Sequence, residues 1–127
     1  MLNIGSLNIV LVQPSVEDFY FTPHRSSALG LRSLAAVWGK RGHNCLILNF
    51  SMLKPLKKNI PLPDGLEYLY PFLKNTQNEV KGTSYFNKYN RFGPGQKSCA
   101  EQIKALGPQV IAVTCFAWSY AEATVEL

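Results

Sequence analysis

Three short apolar runs set the frame of the chain: Leu7-Asn8-Ile9-Val10-Leu11-Val12, Cys45-Leu46-Ile47-Leu48-Asn49-Phe50 and Val110-Ile111-Ala112-Val113-Thr114-Cys115. Each is near-continuously apolar rather than alternating, and rich in branched side chains. Strands covered on both faces have this pattern, so a parallel sheet flanked by helices is predicted. Between the runs the period changes. Leu31, Leu34, Ala35 and Trp38 fall at i, i+3, i+4 and i+7, one stripe of a helix, with Gly42 placed to end it. Cys99, Ile103 and Leu106 repeat the stripe. Ser98 and Glu101 form an S-x-x-E capping box at its start, and Gly107-Pro108 stops it. A third box, Ser119-Tyr120-Ala121-Glu122, opens another helix shortly before Leu127.

The predicted order is strand, helix, strand, long insert, helix, strand, helix start. Right-handed crossovers wind such a chain into a doubly wound α/β sheet of flavodoxin-like (Rossmann-like) type, with strand order 2-1-3. Three strands are few for that architecture and leave the third as an edge. The chain, residues 1–127, therefore reads as the N-terminal part of such a domain, truncated after its third strand and the start of its third helix.

The insert, at about 51–97, is too long for a structureless loop in a compact domain. Asp64-Gly65-Leu66-Glu67 starts a helix that Pro71 would break. Tyr68, Tyr70, Phe72, Tyr85, Phe86, Tyr89 and Phe92 make the segment aromatic. Such rings stack bases in some proteins; packing onto their own domain or a neighbour is the favoured role here.

Charge sharpens this picture. Of the net +5, the insert supplies eight basic against three acidic residues, whereas residues 98–127 carry one basic and three acidic. A basic segment of this kind can meet an anion or nucleic acid. A solvated, lysine-decorated insert is the favoured alternative, and nucleic acid is not an expected partner. No apolar run has the length of a membrane span and the start lacks a signal peptide pattern, so no membrane partner is expected. Cys45, Cys99 and Cys115 are odd in number and far apart, which excludes a disulfide framework and fits a cytoplasmic protein.

In an open parallel sheet, ligands bind beyond the carboxyl ends of the strands, where strand order reverses. That places candidate contacts in the loops after the first and third strands. His24 lies on this side, whereas His43 enters the second strand from its amino end and reads as a turn residue. Gly93-Pro94-Gly95-Gln96-Lys97-Ser98 is not a phosphate loop, because Gln96 stands where glycine must precede Lys-Ser. It leaves only a helix N-terminus, a generic anion site. No G-x-G-x-x-G follows the first strand, which has Gln13-Pro14-Ser15 instead. Cys115 ends its strand on the ligand side, and strand cysteines are usually inert. No carboxylate pair and no nucleophile with a base is set out by spacing.

Several blocks occur in a telling order: Ile9-Val10-Leu11-Val12-Gln13-Pro14, Leu29-Gly30-Leu31, Leu34-Ala35-Ala36, Arg41-Gly42-His43 and the strand Cys45 to Phe50. Arg91-Phe92-Gly93 follows, and Gly107 to Thr114 leads into Cys115-Phe116-Ala117-Trp118-Ser119-Tyr120. Together they resemble the N-terminal cobalamin-binding-like domain of radical S-adenosylmethionine enzymes, over most of residues 7–127. The resemblance implies a domain holding cobalamin across the carboxyl edge of its sheet and presenting it to a barrel domain of the same parent chain. It carries the cofactor-binding role onto Gln13, Pro14, Ser15, Thr114, Cys115, Phe116, Ser119 and Tyr120. Phe116 or Trp118 would cover the corrin edge.

The barrel would hold a 4Fe-4S cluster and S-adenosylmethionine through a C-x-x-x-C-x-x-C motif. That motif is absent here, where Cys99 and Cys115 stand sixteen apart, so the chain is not expected to be catalytic alone. The D-x-H-x-x-G motif of cobalamin mutases is reduced to His24 in Thr22-Pro23-His24-Arg25-Ser26-Ser27, a weak case for a cobalt ligand. Asn49 also replaces the family's usual aspartate. Members that keep the fold without the cofactor are admitted by these departures. The alternatives are thus a cofactor-free interaction or homodimerisation module of the same fold, and anion or nucleic-acid binding through the basic insert.

Overall fold

A computed structural model describes residues 5–19, 28–72 and 89–115. The central element is β1 (Asn8–Gln13), followed at once by the short β2 (Val16–Asp18). Helix α1 (Leu29–Lys40) leads to β3 (Asn44–Asn49), and a 3-10 turn, Phe50–Met52, leaves that strand. The insert then provides β4 (Lys58–Asn59), a second 3-10 segment at Glu67–Phe72, and β5 (Asn90–Phe92). Helix α2 (Gln96–Ala105) and β6 (Val110–Val113) complete the described chain.

The three apolar runs form one parallel sheet in the order β3-β1-β6, as their pattern predicts. Successive side chains of β1 point to opposite faces, and each face has its own core. Ile9 and Leu11 pack with Ala28, Leu31 and partly buried Trp38 on the α1 side. Val10 and Val12 pack with Phe50, Cys99 and Ile103 on the α2 side. Burial on both faces holds for β1 alone. The flanking β3 and β6, each with one strand neighbour among the described residues, keep Leu46, Val110, Ile111 and Val113 exposed.

The helix ends follow their glycines. Gly42 (φ 88°) and Gly107 (φ 56°) take the left-handed conformation that ends α1 and α2. His43 continues the first of these turns: its N–H donates to the Trp38 carbonyl, and its Nδ1 accepts the Leu7 N–H at 3.3 Å. It belongs to the amino end of the sheet, as its sequence position suggests.

Two helix expectations are corrected. Leu34 lies at the margin of its stripe and stays exposed, while Leu31 is buried. The Ser98–Glu101 box does not cap α2, which begins earlier, after an extended Gly95 (φ −66°, ψ 156°). Ser98 instead sits within the helix and accepts a hydrogen bond from Gln102 Nε2. The helix start follows the placement of Pro94-Gly95 against β1 rather than the local cap.

The insert is more regular than its composition suggests. Strands β2, β5 and β4 form a second, antiparallel sheet in that order, pairing Val16 with Phe92, Glu17 with Arg91, and Lys58 with Arg91. The segment after β1 and the two ends of the insert are therefore sewn together. Near Asp64 the chain forms only the 3-10 segment, introduced by Gly65 (φ 89°), whose N–H donates to Glu67. Of the aromatic residues, Phe92 is fully buried and Tyr89 packs edge-on against Phe19, centroids 4.9 Å apart. Phe92 is in keeping with packing, whereas Tyr68 is 66% exposed, and Tyr85 and Phe86 lie outside the described residues.

Candidate functional site

Parallel pairing brings the ends of β1 and β6 side by side. Val12 pairs with Val113, and the Thr114 N–H donates to the Val12 carbonyl at 2.9 Å. Gln13 and Thr114 therefore stand next to one another at the carboxyl edge, with Cys115 exposed just beyond. Two of the residue groups expected at this edge are thus assembled. Phe116, Trp118, Ser119, Tyr120 and His24 lie outside the described residues.

The β1 end of the edge is closed from inside. Gln13, Pro14 and Ser15 are all buried. The Ser15 hydroxyl donates to the Pro94 carbonyl at 2.6 Å and lies 3.6 Å from Cys99 Sγ, so it serves the fold. Gly93 (φ 106°) lies in the same knot. Its N–H donates to Pro55, and a Cβ placed on it would collide with the Phe50 carbonyl and approach Ser15 Oγ to 2.6 Å. Only glycine allows this approach of three segments. Burial pushes the Cys99 thiol above its usual pKa, although the Ser15 hydrogen bond and the Arg91 charge act the other way. Cys99 is therefore a protonated core thiol at neutral pH, with none of the thiolate character that a nucleophile needs.

Sequence reasoning missed the Gly93-Pro94-Gly95 turn as the partner of Ser15. The glycine-proline-glycine run directly before a helix was its signal. Around this turn several polar atoms are buried without a hydrogen-bond partner: Gln13 Oε1 on the α1 side of β1, Arg91 Nε, and the Gln96 amide at the start of α2. The Arg91 guanidinium lies beside Gly95. Elsewhere, Ala100, Ile103, Lys104, Gly107, Pro108, Ile111 and Val113 line a mostly apolar groove of about 470 Å³ between α2 and β6.

For a corrin laid over the edge the fit is divided. Gln13, with its unpartnered acceptor, and the open Thr114–Cys115 end suit it. Pro14 and the inward-bonded Ser15 do not. Among the described residues no group of three or more His, Cys, Asp or Glu side chains is arranged to hold a metal, and no helix is long and apolar enough to cross a membrane. No family model, curated protein or solved structure matches this chain.

Proposed function

We propose that this chain is a non-catalytic domain of flavodoxin-like architecture, of the type its resemblance to radical S-adenosylmethionine proteins implies, and that it works as a cofactor-free interaction module. In that role it would pair with a second copy or pack on the barrel domain of a parent chain. What supports this reading most is the 2.6 Å bond from Ser15 to Pro94. With it the insert occupies the end of β1, the part of the edge where a corrin would enter. The burial of Phe92 and the packing of Tyr89 on Phe19 agree with an insert that completes its own domain.

A second reading, a cobalamin carrier, is favoured by the buried and unpartnered Gln13 Oε1 beside the open end of β6. Gln13, Thr114 and Cys115 would then hold the corrin rim, and the bound cofactor would supply methyl-carrying cobalt chemistry to the barrel.

Titration of the folded chain with hydroxocobalamin, followed in the visible spectrum, separates the two. The module predicts an unchanged spectrum, with self-association in sedimentation velocity. A saturable shift would replace it with the carrier. A monomeric, spectrally silent chain would remove both the dimer and the corrin.

A further inference from the structure

The loop that leaves β3 turns its apolar side chains outward. Met52, Leu53 and Leu56 are 42%, 39% and 50% exposed, and none belongs to either core. Lys54, Lys57 and Lys58 alternate with them and are exposed too. No acidic residue lies between Ser51 and Pro63.

The loop is also held in place. The Leu53 N–H donates to the Phe50 carbonyl, the Pro55 carbonyl accepts from Gly93, and Lys58 pairs into the small sheet. Across that sheet the row Glu17–Arg91–Lys58 sets two cations directly opposite one another, with one anion beside them.

We infer that Met52–Lys58 is a docking loop for an anionic lipid surface: Lys54 and Lys58 meet the headgroups, while Met52, Leu53 and Leu56 enter the acyl boundary. Basic residues interleaved with exposed aliphatic ones are the combination that binds such surfaces without spanning them. Nucleic acid shares the charge requirement but favours aromatic stacking, and residues 51–59 contain no aromatic side chain. The inference is independent of the proposed function, since neither Gln13 nor Ser15 takes part.

The test is co-sedimentation of the 127-residue chain with vesicles of neutral phosphatidylcholine or of phosphatidylcholine with about 30% phosphatidylserine. The proposal expects binding to the second and little to the first, weakened by salt. Lys54→Gln with Lys58→Gln should weaken it roughly ten-fold or more. Leu53→Ser with Leu56→Ser should weaken it several-fold at unchanged charge, with circular dichroism showing that both variants fold.

No binding by the folded wild type overturns the proposal, as does binding indifferent to the serine pair. Preference for a single-stranded oligonucleotide over the vesicles would assign the loop to nucleic acid. Self-association abolished by the serine pair, without vesicle binding, would assign it to a second copy.

Discussion

Ser15 and Pro94 are 79 residues apart in sequence, yet the hydroxyl of one donates to the carbonyl of the other at 2.6 Å inside the fold. This bond ties the end of β1 to the turn that launches α2. It also explains why a polar residue at the carboxyl edge of the sheet faces away from that edge. Replacing Ser15 by alanine leaves the buried Pro94 carbonyl with only the long Cys99 Sγ contact at 3.7 Å. A loss of about 1–3 kcal/mol is expected. Urea unfolding checks it, as a lower midpoint at unchanged slope.

Gly93→Ala should be costlier. The new methyl group meets the Phe50 backbone, which cannot rotate away, at a φ of 106° that side chains rarely adopt. The expected loss is more than about 3 kcal/mol, combining backbone strain with overpacking. Gly107→Ala also carries a positive φ but has open space around its Cβ, so it should cost about 1 kcal/mol. Equal midpoints for the two variants would contradict the crowding at Gly93.

The three cysteines should differ in reaction with a thiol reagent. Cys115 is exposed, Cys45 half-buried and Cys99 buried. Fast, slower and unfolding-limited phases are expected in that order, with Cys115→Ser removing the first.

The Cys99 shift also carries a pH dependence. Its folded pKa is raised, mainly by burial, so its contribution to stability is whole below the unfolded thiol pKa. As pH climbs past that value the unfolded chain ionises first, and stability falls until the folded thiol ionises too. Cys99→Ala should flatten this alkaline decline in pH-dependent urea midpoints. An equal decline in the variant would place its cause elsewhere.

Leu31 and Leu34 test the face of α1 directly. Leu31→Ala opens a cavity against Ile9 and Leu11 and should cost about 2–5 kcal/mol. Leu34, 42% exposed, should lose less than about 1 kcal/mol on the same change. Parallel thermal melts would show the contrast.

The parallel sheet was legible because β1, β3 and β6 are nearly unbroken apolar runs, although only β1 is buried on both faces. The helix ends were legible because Gly42 and Gly107 take a conformation that glycine accepts without strain. The small sheet was not. Val16–Asp18, Lys58–Asn59 and Asn90–Phe92 are too short and too polar for a period to appear, and they exist through pairing with one another. The start of α2 misled for a related reason: a plausible local cap at Ser98 yields to the tertiary placement of Pro94. At the candidate site, Gln13 and Thr114 were foreseeable from the rule for parallel strands. The inward turn of Ser15 depends on a partner 79 residues away, which no local pattern records.

Asn8 and Gln109 join the start of β1 to the start of its neighbour β6 across 101 residues, each backbone N–H donating to the other residue. On the ribosome this has a cost in time. β1 and β3 can pair once residue 49 has emerged, but the second edge of β1 stays bare until β6 follows at Val110. At ordinary elongation rates that interval lasts on the order of seconds. Throughout it the central strand of the described sheet offers an open edge to any neighbouring nascent chain. Synthesis of this domain thus passes through a stretch in which one edge of its central strand waits for the partner that covers it.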